Sequence, residues 1–166
     1  MTMSDRISYM RQSGCLHVCI ESIDKKSEYV AGVISGVALE GAYEFQGLAD
    51  FLTKADEIFD RIGHPQATSQ PRSFLRSGRL QRPVNAHPPI YHEAEEIDKR
   101  RGSVATWNVL VRTRANSTWQ GLLYDAEGTM LTAFDSEMQL LKSLTGLLDE
   151  LAAAAEAAET AETDGA

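Results

Sequence analysis

Apolar and polar residues alternate through "CLHVCIESI" (15–23), which sets Leu16, Val18 and Ile20 against Cys15, His17 and Cys19. That two-residue period is the mark of a β-strand. "YVAGVISGV" (29–37), rich in β-branched residues, follows the polar "DKKSE" and reads as a second strand; "AYEF", after the turn "ALEG", reads as a short third. The period then changes. Leu48, Phe51, Leu52, Ala55, Ile58, Phe59 and Ile62 fall on one stripe at helical spacing, and Gly63 and Pro65 end it.

The same order returns later in the chain. "SVATWNVLVRT" predicts a strand with Trp107, Val109 and Val111 on one face, "RANS" a turn, "TWQGLLYD" a strand, "AEGT" a turn and "MLTAF" a strand. Asp135 is placed to cap a helix that runs through Met138, Leu141, Leu144, Leu147, Leu148 and Leu151. A constant offset of 89 residues lays one half on the other without gaps: Gly32 on Gly121, Phe45 on Phe134, Leu52 on Leu141, Asp60 on Asp149 and Val18 on Trp107. The pattern therefore predicts an α+β fold of two tandem β-β-β-α units, packed as a pseudo-symmetric two-layer domain with a long irregular connection. The expected divisions are a first unit over 15–62, the connection over 63–101, a second unit over 102–158 and a disordered acidic tail over 159–166. One such unit alone leaves much apolar surface uncovered, and two would share a core.

Composition changes this picture chiefly in the connection. All five prolines of the chain lie there, with His64, His87 and His92, and no acidic residue occurs between Arg61 and His92. The chain carries a net charge of −8, and its last 18 residues hold six acids and no base. Such a charge disfavours wrapping duplex nucleic acid with the whole surface. The chain has no apolar run long enough to span a membrane, and its start lacks the apolar core of a signal peptide, so the cytoplasm is the expected compartment. Cys15 and Cys19, roughly 13 Å apart on one strand, are too distant for a mutual disulfide.

Candidate chemistry is sparse. Cys15, His17 and Cys19 share a strand face but span too far for one regular metal site, and they read as strand residues. His87 and His92 flank two prolines, which forbid a helical zinc motif. The glycines of "GVISGVALEG" lack the lysine and hydroxyl residue of a phosphate loop, and no nucleophile elbow is present. No catalytic residue, cofactor or metal is expected. Arg72, Arg76, Arg79 and Arg82, with Phe74 among them, interleave basic and apolar groups in a way that suits an acidic protein groove or phosphate. Trp119, with Arg112 and Arg114, forms an alternative set for stacking and gripping single-stranded nucleic acid, although Trp119 also falls on a face expected to be buried.

"IGHPQATSQPRSF" and "NSTWQGLLYDAEG…FDSEMQLLKSL" resemble segments of small uncharacterised proteins from anaerobic bacteria, a resemblance that implies no activity. Tandem strand-rich units each closed by a helix are similar in plan to the purine-rich-element-binding (PUR) repeats and the Whirly proteins. That likeness implies single-stranded nucleic-acid binding on an open sheet face, with four strands per unit where this chain has three. The expected function is a non-catalytic cytoplasmic interaction module, an adaptor or regulator that docks a partner protein, with the basic connection as the candidate contact. The alternative is a single-stranded nucleic-acid-binding protein of PUR or Whirly type.

Overall fold

Strands β1 (Cys15–Asp24), β2 (Tyr29–Ser35) and β3 (Tyr43–Gln46) form an antiparallel meander that leads into helix α2 (Leu48–Ile62), after a short N-terminal helix α1 (Met3–Met10). The two-residue β4 (Ala67–Thr68) and the short α3 (Ala94–Asp98) lie in the connection. Strands β5 (Ala105–Ala115), β6 (Gln120–Asp125) and β7 (Met130–Phe134) form a second antiparallel meander, followed by α4 (Glu137–Asp164). This computed structural model describes residues 2–24, 29–65, 67–68 and 87–165. The candidates Arg72, Phe74, Arg76, Arg79 and Arg82 lie outside the described residues.

The architecture is α+β. Six antiparallel strands run in the order β3-β2-β1-β5-β6-β7, and β4 pairs in parallel with the end of β5. The sheet is closed at its centre by β1 against β5, in a register that sets Leu16 opposite Val109 and Val18 opposite Trp107. One face carries the main core: Leu16, Val18 and Ile20 meet Trp107, Val109 and Val111 beneath Phe51, Ile58 and Phe59 of α2 and Leu140, Leu144 and Leu148 of α4. The helical stripe read from the sequence is thus the buried face of α2. Gly63 closes that helix in the left-handed region at φ 73°, its N–H donating to the Phe59 carbonyl at 2.9 Å.

Three features differ from the sequence reading. Ser136, not Asp135, caps α4: its extended backbone lets the hydroxyl accept the Gln139 N–H at 3.2 Å. The helix continues to Asp164, through the alanine-rich stretch expected to lose order from residue 159. Alanine and glutamate are strong helix formers, so the chain keeps its helical path although every residue from 153 to 165 is exposed. Finally, the sheet is covered on both faces at its centre. Cys15 to Ile20 are all buried, because Ile7, Tyr9 and Met10 of α1 and Ala94 and Ile97 of α3 pack with Cys15, Val37 and Leu110 on the second face.

Candidate interaction surface

Polar strand residues on the second face are buried under α1 and α3 and satisfy one another. His17 is 1 % exposed; its Nδ1 lies 2.7 Å from Asn108 Oδ1 and its Nε2 2.9 Å from the Arg100 carbonyl. Asn108 Nδ2 donates to the Tyr9 hydroxyl at 3.1 Å. Burial raises the Tyr9 phenol well above its ordinary range and pushes the Cys15 thiol up to about 12. Burial also raises the Cys19 thiol, opposed by its hydrogen bond with Thr106. Both thiols are unpaired and buried, which keeps them from acting as nucleophiles. Arg6 forms an ion pair with Asp98, tying α1 to α3 over this cluster. The group is a structural fastening for the two short helices.

Arg114 and Trp119 are also interior. Arg114 is 4 % exposed, its guanidinium donating to Asp56 Oδ1 at 2.6 Å, to Asp60 Oδ1 at 3.0 Å and to the Pro65 carbonyl at 3.3 Å. Trp119 is 2 % exposed, packs edge-on against Phe59, and donates its Nε1–H to the same Asp56 oxygen at 3.3 Å. This arrangement locks the C-terminal half of α2 to the end of β5. Neither side chain presents a free face for stacking on a base, so two of the three residues of the nucleic-acid set are engaged elsewhere. Arg112 alone of that set is exposed, in the bulge between Val111 and Thr113.

Cover on the second face runs out towards β7. The strand register carries one row from Asn108 through Tyr124 to Met130 and another from Leu110 through Leu122 to Ala133. At the centre, α1 covers both rows, and the Tyr9 ring stacks on Tyr124 with centroids 4.0 Å apart. Further out, Leu122 and Tyr124 are half-buried, Ala133 is exposed, and Met130 reaches 54 % exposure. Leu131, in the register shift of the β6–β7 pair, is 39 % exposed, and Met138 in the first turn of α4 is exposed too. Burial raises the Tyr124 phenol, and the nearby Arg112 charge opposes that rise. The result is an apolar strip beside one cation, on a strand whose outer edge has no partner among the described residues. Sequence reasoning missed these residues because "LLYD" and "MLTAF" look like any half-buried strands; only the position of α1 leaves them uncovered.

His87 and His92 lie on the surface segment before α3, and His92 Nε2 donates to the Glu40 carbonyl at 3.3 Å. Among the described residues no three His, Cys, Asp or Glu side chains gather to hold a metal, and no helix is long and apolar enough to cross a membrane. No protein family, curated protein or solved structure matches the chain.

Proposed function

We propose that the protein is a non-catalytic interaction module that docks a partner protein on the uncovered second face of β6 and β7. The observation that carries this reading is the exposure of Met130 and Leu131 side by side on an edge strand, at 54 % and 39 %. Edge strands of monomeric proteins usually carry charge or are covered, and a partner that adds a strand there gains backbone hydrogen bonds as well as apolar contact. Arg112 beside Tyr124 favours an acidic group next to the partner's apolar side chains. Arg72, Phe74, Arg76, Arg79 and Arg82 remain in this reading as a second contact, on the strength of their sequence alone. Two unpaired thiols suit a reducing compartment such as the cytoplasm.

The test is capture from the native host by the tagged chain, compared with the Met130→Glu, Leu131→Glu double variant. A protein recovered reproducibly by the wild type and lost from the folded variant supports docking on this face. Equal recovery by both forms removes it. Replacing Arg72, Arg76, Arg79 and Arg82 by glutamine in the same assay tests the second contact.

We also read the two halves as divergent copies of one β-β-β-α unit. Supporting this, the offset that aligns the halves makes Val18 the counterpart of Trp107, and these two residues are cross-strand partners. Gly32 pairs with Phe45 as Gly121 pairs with Phe134, and a Cβ on either glycine would stand 2.7 Å from the ring Cζ of its phenylalanine. Each glycine lets a phenylalanine lie flat across its strand.

A further inference from the structure

We propose that Pro88–Tyr91 is a preformed polyproline ligand for an aromatic-lined groove on a partner protein. The segment "PPIY" belongs to no helix or strand, and Pro89, Ile90 and Tyr91 stand exposed, the last two at 57 % and 51 %. Half-exposed isoleucine and tyrosine side by side would be unremarkable on a loose loop, but this backbone is fastened. Tyr91 N–H donates to the Val37 carbonyl at 2.8 Å and His92 N–H to the same oxygen at 3.3 Å. Val37 is itself buried, and Glu93 is the N-cap residue of α3, whose Ala94 and Ile97 are buried beneath the sheet. The main chain is therefore held against the body while its apolar side chains face outward.

Local chemistry restricts the first half of what is displayed. Each proline is held near φ −65°, and His87 and Pro88, each preceding a proline, are confined to extended conformations. Carried as a polyproline helix, with three residues per turn and roughly 3.1 Å of rise per residue, Pro88 and Tyr91 project from the same edge about one turn apart. Grooves built from parallel aromatic side chains, as in WW domains, take such an edge, and a ligand already extended loses little conformational entropy on docking. A protein groove is favoured over nucleic acid because the four side chains bring no positive charge. The ligand stands on residues remote in sequence from β7, so it adds to the docking reading without depending on Met130 and Leu131.

The experiment titrates the unlabelled full-length chain into an isotope-labelled WW domain and follows the amide and indole signals of the domain's groove. Saturable shifts confined to the groove are expected, with Tyr91→Ala weakening binding about tenfold or more, as loss of an anchoring residue does. The Tyr91 side chain is exposed, so an unchanged melting temperature will certify that the variant folds. Absence of groove shifts with the wild type, or titrations equal for wild type and Tyr91→Ala, would overturn the assignment. The capture comparison at Met130 and Leu131 is read independently, so either reading can fail while the other stands.

Discussion

Val18 of β1 stands directly opposite Trp107 of β5 in the central antiparallel pair. Because the same two residues are counterparts under the offset that aligns the halves, a local twofold relation between the units would pass between them. On that reading Gly32 and Gly121 hold equivalent places, each against a partner strand's carbonyl and a phenylalanine ring. Gly32→Ala and Gly121→Ala should each destabilise by about 1–3 kcal/mol, the usual cost of overpacking. Denaturant titration of both variants checks this; one neutral and one costly substitution would argue against equivalence.

Asn108→Ala should cost on the order of 1–3 kcal/mol, because it strands the His17 ring nitrogen and the Tyr9 hydroxyl in a dry site. A shift in urea midpoint without a change in slope is the expected result. No shift would mean that water replaces the amide.

Alkaline pH should unfold the protein in a way that Cys15 helps to set. The thiol's folded value lies near 12 against an ordinary 9.0, so between these values the unfolded chain gives up a proton that the folded chain retains. Stability from this group is therefore complete below pH 9 and declines as pH rises towards 12. Cys15→Ala should flatten that decline, measured as melting temperature against pH. For the same reason, thiol reagents at pH 8 should label Cys15 and Cys19 only as fast as the protein opens.

Removal of residues 153–166 should leave the melting temperature nearly unchanged, since the helix there has no buried side chain. Far-ultraviolet ellipticity should fall in proportion to the helix removed. A large loss of stability would show that the exposed half of α4 braces the sheet.

The outer strands and the two long helices were legible because each buries one side against one neighbour, and periodicity records that. The stripe from Leu48 to Ile62 and the strand from Met130 to Phe134 coincide with their observed elements. The second face was not legible. Its cover comes from α1, where Ile7, Tyr9 and Met10 are buried, and from five-residue α3, too short for a period to register. His17 and Asn108 looked like ordinary strand polar residues; their partnership spans 91 positions, beyond any local pattern. The Ser136 cap shows the usual uncertainty of a boundary where neighbouring residues both favour the role. Trp119 was partly legible: its strand face indicated burial, but not the contact with Asp56 that it shares with Arg114, whose burial no pattern announced.

The β1–β5 seam has a consequence for how the chain folds. Every other strand pair of the antiparallel sheet joins consecutive strands, whereas this one joins residues such as Val18 and Trp107 across the whole connection. Loop closure over a longer stretch costs more entropy, so the two hairpin sets can form locally before the seam brings them together. Pulse-labelling hydrogen exchange should then find the β2–β3 and β6–β7 amides protected ahead of those between β1 and β5. Until that step the apolar strands β1 and β5 are themselves open edges, which makes the unjoined halves the species most prone to pair with other chains.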